Sequence, residues 1–307
     1  MITRRQIILA IGAGAVSPVL AAFAQPQAPK QVRVGILGMA ATPNNIARVD
    51  ALVKGLRELG YVQGQNLALE LRWADGVYDR LPALAAELVA LKSDVIVTSG
   101  AVGSMAAKRA TSTVPVVMAG IGDAVTAGLV ASEAHPGGNI TGLSLFNPEV
   151  NAKRLELLKE AFPSIRRVAF LFNPDNYRAK QYVEPLSGVV AAQLKLDLQP
   201  IAIRTPEEFD KAFAAMKSRR IEALAVYDDP IIVANFAKAA AIAAAQRLPS
   251  IGNVDVAEAG GLLGYGVNGI VIWNRAAALI DKIAKGTKPA EIPIERATKF
   301  DLIVNVK

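Results

Sequence analysis

The sequence predicts an α/β protein with two doubly wound, parallel-sheet lobes, and the order of its elements is the main indication. From residue 32, short apolar runs rich in β-branched residues alternate with segments of helical periodicity, which is typical of parallel α/β folds. The first series of alternating strands and helices ends near residue 145, and a second series then begins. The chain has 307 residues, of which 52% are apolar, and this is enough for a core in each lobe.

The first half contains five predicted strands and four predicted helices. The strands are expected at 32–37, 67–73, 94–98, 114–119 and 140–145. The helices are expected at 46–59, 81–91, 102–110 and 124–134. Gly60 ends the first helix, and Pro82 lies in the first turn of the second, where the missing N–H of proline is tolerated.

The second half repeats this pattern and adds a returning helix and strand at its end. The strands are expected at 167–172, 197–203, 223–227, 250–252, 262–264 and 299–306. The helices are expected at 151–162, 182–194, 206–217, 231–247 and 270–285. A last helix and strand that return after two similar halves indicate two lobes joined by several crossings, with a natural ligand site in the cleft between them.

The first 24 residues have the pattern of a secretory signal peptide. Arg4 and Arg5 precede an apolar run, and Ala22-Phe23-Ala24 is a small-x-small cleavage site. The apolar run is short for a membrane span, which needs about 20 residues, so a retained anchor is the less favoured alternative. The twin arginine is compatible with either Sec or Tat export. We therefore expect a periplasmic protein, cleaved after Ala24.

Composition excludes several classes of function. The chain has no cysteine and one histidine, so disulfides, thiol catalysis and Cys- or His-rich metal sites are not expected. Removal of the signal lowers the formal charge from +7 to +5, and the basic residues are widely spaced, so nucleic-acid binding is not expected either. No cofactor motif is complete, because Gly120-Ile121-Gly122 is only a fragment of a dinucleotide fingerprint.

The catalytic possibilities are also poor. His135 lies in the turn-like sequence His135-Pro136-Gly137, and no Gly-x-Ser-x-Gly elbow is present for a serine hydrolase. Asp228 and Asp229 are adjacent on an extended segment, so their carboxylates diverge and do not make a glycosidase pair. We expect a binding protein and no enzyme, with an exported hydrolase as the least favoured alternative.

The candidate ligand-binding residues follow the predicted strands, because parallel α/β sheets bind ligands beyond the carboxyl ends of their strands. For each of them the alternative is that it only ends a strand or caps a helix. The candidates are Gly38, Met39, Trp73, Ser99, Gly100, Ala101, Asp123, Asn173, Asn176, Tyr227, Asp228 and Asn253.

Some candidates suggest a definite role. Ser99, Gly100 and Ala101 precede a helix whose free N–H groups suit a carboxylate. Asp123 follows the fourth strand and either accepts an ammonium group or caps the next helix. Trp73 and Tyr227, together with Tyr78, are the rings nearest to strand ends; each either stacks on a planar ligand or belongs to the core.

Several segments spread over the whole chain resemble one family. They are Leu81-Pro82-Ala83-Leu84-Ala85-Ala86-Glu87-Leu88-Val89, Gly122-Asp123-Ala124-Val125-Thr126-Ala127-Gly128-Leu129-Val130, His135-Pro136-Gly137-Gly138-Asn139-Ile140-Thr141-Gly142, Glu258-Ala259-Gly260-Gly261-Leu262-Leu263-Gly264-Tyr265-Gly266 and the run from Pro293 to Asn305. Together they are similar to the ABC-transporter substrate-binding proteins whose relatives bind tryptophan, tyrosine or phenylalanine. Where relatives often have Gly-Thr, this chain has Gly100-Ala101, so that hydroxyl donor is either missing or replaced by Ser99.

The resemblance implies a type I periplasmic-binding-protein-like fold with a three-segment hinge near Leu145, 265–268 and the segment after Pro289. It divides the chain into a first lobe of 31–144 with 268–292 and a second lobe of 145–267 with 293–307. The implied function is uptake of a small carboxylate-bearing solute, an aromatic amino acid or related aromatic acid, delivered to an inner-membrane ABC permease. The alternative is a sensory module for a membrane receptor. A monomer is expected, with a dimer as the alternative.

Overall fold

Two similar α/β lobes make up the computed structural model, which describes residues 31–145, 147–176 and 183–306. The predicted signal peptide, residues 1–24, lies outside the described residues. Within the described ranges, no helix combines the length and the apolar character that a membrane crossing requires.

The first lobe is built on a six-stranded parallel sheet in the order β11-β5-β4-β3-β1-β2. Every residue of β3, β4 and β5 is buried, as expected for parallel strands covered by helices on both faces. The strands are β1 (Val32–Gly38), β2 (Leu67–Trp73), β3 (Val95–Thr98), β4 (Val116–Ile121), β5 (Ile140–Ser144) and β11 (Glu295–Arg296).

The second lobe repeats this design in the order β12-β10-β9-β8-β6-β7. Its strands are parallel except β12, which runs antiparallel to β10 at the edge. They are β6 (Arg167–Phe172), β7 (Asp197–Ala202), β8 (Ala223–Val226), β9 (Ser250–Gly252), β10 (Leu263–Gly266) and β12 (Asp301–Val304).

Helices cover both faces of each sheet. In the first lobe they are α1 (Pro43–Glu58), α2 (Leu81–Ala90), α3 (Gly100–Ala110) and α10 (Gly269–Ala284), with a 3₁₀ turn at Tyr78–Arg80 and another at Pro289–Glu291. In the second they are α4 (Asn147–Ala161), α5 (Ala191–Gln193), α6 (Glu208–Ser218), α7 (Pro230–Ala234), α8 (Phe236–Ala245) and α9 (Val254–Glu258), with a π-helical turn at Leu186–Val190 before α5.

The core of the first lobe has two layers. One lies between the sheet and α2 with α3, around Leu88, Ile96 and Met118. The other lies between the sheet and α1 with α10, around Leu52 and the α10 side chains. Because α10 comes near the end of the chain, the first lobe is completed only by residues that follow all of the second lobe except β12.

Each sheet reverses its chain order once, and these two reversals locate the cleft. In the first lobe β1 lies between β2 and β3, and in the second β6 lies between β7 and β8. Helices depart to opposite faces of the sheet at such points, which leaves a crevice at the carboxyl ends of the strands. The residues after β1, β3, β6 and β8 therefore occupy the positions where a ligand is expected.

The predicted helix at 124–134 is wrong. The stretch forms only turns, in which the N–H groups of Ala127, Gly128 and Leu129 donate to the carbonyls of residues 123, 125 and 124 (3.0, 2.8 and 3.0 Å), and Gly128 takes a φ of +66°. A left-handed glycine ends a helix at once. The alanines of this stretch favour a helix, which is why the sequence predicted one.

The predicted helix at 231–247 is interrupted. Asn235 separates α7 from α8, and its side-chain amide donates to the Ile231 carbonyl at 2.8 Å. Such a side-chain bond competes with the helical backbone pattern. The predictions also missed α9 and the two-residue strand β11, which are too short for periodicity to reveal.

The last crossing between the lobes comes later than expected. Residues 293–307 were assigned to the second lobe, but Glu295 and Arg296 pair with Leu143 and Ser144 of β5 in the first. The Ala297 N–H also donates to the Ser144 carbonyl at 3.0 Å. The chain therefore crosses after β5, after β10 and between β11 and β12.

Candidate functional site

A cavity of about 160 Å³ lies between the two lobes, at the carboxyl ends of their strands. This volume is large enough for roughly a dozen water molecules, and therefore for a small organic molecule. Its walls contain eleven of the twelve predicted site residues, namely Gly38, Met39, Trp73, Ser99, Gly100, Ala101, Asp123, Asn176, Tyr227, Asp228 and Asn253.

Asn173 is the exception, because it lies below the cavity wall. Its side chain is fully buried, donates to Asp229 Oδ1 at 3.4 Å and accepts from the Asp175 N–H at 3.0 Å. It organises the loop after β6 and does not line the cavity.

The start of α3 supplies backbone donors to the first-lobe wall. Ser99 begins this 11-residue helix without a side-chain cap, and Gly100 follows with a φ of +71°, a conformation that favours glycine. Residues 99–103 all line the cavity. The first N–H groups of a helix have no acceptor within the helix, so they can hold a carboxylate here.

Asp123 acts mainly as a turn cap. Its Oδ1 accepts from the Thr126 N–H at 2.9 Å, and its Oδ2 accepts from the Thr126 hydroxyl. These bonds cap the turn that forms in place of the predicted helix, and Asp123 also lines the cavity.

Aromatic rings form much of the remaining wall. Trp73 covers Gly38, and Tyr227 is buried edge-on against Phe170 with ring centroids 6.1 Å apart. Trp273 in α10 also lines the cavity and was not predicted. The chain has only two tryptophans, so its intrinsic fluorescence reports on this site.

Gly38→Ala should deform this wall. An added Cβ would lie 2.1 Å from Cζ3 of Trp73, so the indole must move. Overpacking of this kind destabilises by about 1–3 kcal/mol, and we expect roughly tenfold weaker ligand binding with altered tryptophan emission. Titration followed by fluorescence measures both. Gly138→Ala is the control, since nothing lies within 4 Å of its added Cβ; equal losses in both variants would contradict the prediction.

A buried ion pair forms the second-lobe wall. Arg154 in α4 donates through Nη2 to Asp228 Oδ2 at 3.0 Å, and its side chain is only 3% exposed. Its Nε donates to the Tyr265 carbonyl at 2.7 Å, and its Nη1 donates to the Asn151 side chain at 3.0 Å. Asp228 is therefore held rigidly, with one oxygen committed to the guanidinium.

Two acceptors in this wall have no hydrogen-bond partner among the described residues. They are Asp228 Oδ1 and Asn253 Oδ1, and both atoms are buried. Asn253 begins α9 but its side chain does not cap it. An unsatisfied buried acceptor costs about 1–3 kcal/mol, so these two oxygens favour a ligand that carries N–H donors.

Two further polar contacts join the lobes. Arg48 of α1 donates to the Oδ2 of Asp255 in α9, and the Tyr78 hydroxyl donates to Asp229 Oδ2 at 2.6 Å. Burial raises the pKa of both carboxyl groups, and for Asp255 this outweighs the opposing effect of Arg48. Burial, with the nearby Asp229 carboxylate, also raises the pKa of Tyr78, which keeps its hydroxyl a donor.

Sequence reasoning missed the two arginines of the site. Arg48 and Arg154 lie within helices, whereas the strand-end rule considers only loops. Each belongs to a helix that begins soon after a strand of the first lobe, α1 after β1 and α4 after β5, and this was the available signal. The described residues contain no group of three or more potential metal ligands.

A family model for ABC transporter substrate binding proteins matches residues 33–307. The chain belongs to this family. Members of the family bind solutes, so this substrate-binding protein is not an enzyme. It is 25% identical over 277 residues to a tyrosine-binding protein of Clostridioides difficile (strain R20291), covering 90% of this chain and 79% of that protein.

Two solved structures are similar to the substrate-binding protein over 90% of its length and 92% of theirs. One is an ABC domain from Streptococcus pneumonia in complex with L-Trp, with a TM-score of 0.81 at 24% identity. The other is the ligand-free, open structure of a substrate binding protein with adhesive properties from Clostridium difficile, with a TM-score of 0.64 at 25% identity. Both have the two-lobed fold.

Proposed function

We propose that this chain is the extracytoplasmic solute-binding component of an uptake system and that its lobes close over an aromatic amino acid or a related aromatic acid. The observation that carries the ligand class is the pair of buried, unpartnered acceptors at Asp228 and Asn253. They suit the ammonium group of an amino acid. The names of the tyrosine-binding relative and the L-Trp complex support the same class.

The first lobe offers the complementary group. The N-terminus of α3 suits a carboxylate, and Asp228 belongs to the other lobe. A ligand with an ammonium group and a carboxylate would thus contact both walls of the closed form, whereas in the open form it contacts only one wall at a time. This difference in affinity between the two states shifts the population towards closure.

The rings of Trp73, Tyr227 and Trp273 suit an aromatic side chain. In this proposal the closed form docks on a membrane permease, which receives the solute. Export by the leader at 1–24 is part of the same proposal, and the N-terminal sequence of the exported protein should begin at Gln25.

Matched ligands test the proposal. Isothermal titration should compare L-tryptophan with indole-3-propionate, which lacks the ammonium group, and with tryptamine, which lacks the carboxylate; L-tyrosine and benzoate extend the series. We expect the amino acids to bind and each truncated analogue to bind at least about tenfold weaker, because a hydrogen bond to a charged group is lost.

Each outcome has a distinct meaning. Equal affinity for tryptophan and indole-3-propionate would refute an ammonium contact and leave an aromatic acid as the ligand. No binding in the series, with protein refolded from denaturant to remove any retained solute, would refute the ligand class. Loss of labelled-solute uptake in a strain that lacks the protein, restored by the intact gene, would test transport itself.

A further inference from the structure

The contact between Tyr78 and Asp229 joins the lobes directly, through two residues that do not line the cavity. The ring of Tyr78 packs against the core of the first lobe, beside α2 and α3. Its hydroxyl reaches the second lobe and donates to Asp229 Oδ2 at 2.6 Å. One side chain thus belongs to the packing of one lobe and to the polar network of the other.

Asp229 is held for this contact by residues of its own lobe. The carboxylate is fully buried and accepts from the Ile231 N–H at 2.9 Å, the Asn176 amide at 2.9 Å and the more distant Asn173 amide. These donors come from the loop after β6 and the start of α7. The acceptor therefore keeps its position when the lobes separate, and a phenol can dock on it without rearranging the second lobe.

The same segment carries the ligand wall. Tyr227 and Asp228, which line the cavity, directly precede Asp229, and the Asp229 N–H donates to the Tyr227 carbonyl at 2.9 Å. A contact that pins Asp229 to the first lobe therefore pins Asp228 at a fixed distance from the start of α3. The positions of the two walls become coupled through Tyr78.

We propose that Tyr78 is a positioning residue whose hydroxyl latches onto Asp229 on closure and holds Tyr227 and Asp228 around the ligand. The latch acts without solute, so the ligand-free protein samples the closed arrangement. The effect on solute retention rests on the proposed function, whereas the latch itself does not.

Tyr78→Phe removes only the hydroxyl and leaves the ring in the first-lobe core. A matched control exists in Tyr61, whose hydroxyl donates to Asp281 Oδ1 at 3.0 Å entirely within the first lobe. Tyr61→Phe thus loses the same type of bond without touching closure. A cooperative melting transition in each ligand-free variant, as in the unsubstituted chain, would show that neither has lost its fold.

Spin labels measure closure without any ligand. The chain has no cysteine, so Gln65→Cys and Lys217→Cys give two unique labels at exposed positions. They lie next to β2 and in α6, beside the edge strands farthest from the crossings. In protein refolded from denaturant, we expect short- and long-distance populations, with the short-to-long ratio about tenfold lower in Tyr78→Phe and unchanged in Tyr61→Phe.

The latch would be overturned if Tyr78→Phe had the same short-to-long ratio as the unsubstituted chain. It would also be overturned if the unsubstituted chain showed no short-distance population. The dissociation rate of bound L-tryptophan or L-tyrosine should rise about tenfold in Tyr78→Phe and stay constant in Tyr61→Phe. Equal dissociation rates in these two variants and the unsubstituted chain would refute positioning of the ligand wall. If neither amino acid binds the unsubstituted chain, the proposed function fails, while the label distances still decide the latch.

Discussion

Asp228→Asn is expected to weaken binding of an aromatic amino acid by about 100-fold. Asp228 lines the cavity; its Oδ2 is used for Arg154, and its buried Oδ1 has no partner among the described residues. An asparagine has one acceptor and one donor group, so its NH₂ must face either the guanidinium or the ligand ammonium. Either choice places two N–H donors against each other, so one hydrogen bond to a charged group is lost. Such hydrogen bonds contribute about 1.5–3 kcal/mol.

Isothermal titration with L-tryptophan or L-tyrosine measures this loss. Asp175→Asn is the matched control, because that carboxylate is 59% exposed, belongs to the same lobe and faces Arg204. It should leave the affinity unchanged within about twofold. An Asp228→Asn variant with near-normal affinity for the amino acids would remove the ammonium contact from the proposal.

Arg154→Met should have the largest effect on stability, about 3–5 kcal/mol of destabilisation. The guanidinium is buried and satisfies Asp228, the Tyr265 carbonyl and the Asn151 side chain. Its removal leaves the Asp228 carboxylate, which is 17% exposed, without its guanidinium partner, and breaking one side of a largely buried ion pair has a cost of this size. At roughly 2 °C per kcal/mol for a domain of this size, the melting temperature should fall by about 6–10 °C.

The neighbouring residue gives the control for this variant. Lys153 is on the same helix and pairs with Glu156 at 2.9 Å, but both side chains are more than 40% exposed. Surface pairs contribute little, so Lys153→Met should change stability by less than about 1 kcal/mol. Similar melting temperatures for the two variants would mean that the Arg154 network does not stabilise the second lobe.

Much of the fold was accessible to sequence reasoning because buried parallel strands leave a strong local signal. Strand β6 begins and ends at the predicted residues because its buried apolar run stands out, and the edge strand β2 does so because its apolar residues alternate with Glu70 and Arg72. The signal fails where one residue changes the backbone. Gly128 and Asn235 are single residues in alanine-rich stretches, and their effect depends on a positive φ and on a side-chain hydrogen bond.

Eleven of the twelve residues chosen by the strand-end rule line the cavity, because the rule depends on topology and not on residue identity. The rule does not predict the direction in which a side chain points. Nothing in the sequence around Arg154 shows that its guanidinium points inwards to Asp228, and nothing around Tyr78 shows that its hydroxyl crosses to the other lobe. Both depend on where the second lobe lies, which is a property of the tertiary structure.

The late position of α10 has a consequence for synthesis. A nascent chain that ends before residue 269 has already formed both runs of strands, yet its first sheet lacks the cover that Ile272, Leu279 and Ile280 provide. The second lobe, in turn, waits for β12, which is made last of all. The first lobe is therefore complete only after β11 has been made and the second only after β12, so truncation anywhere between β5 and α10 would leave an incomplete first lobe.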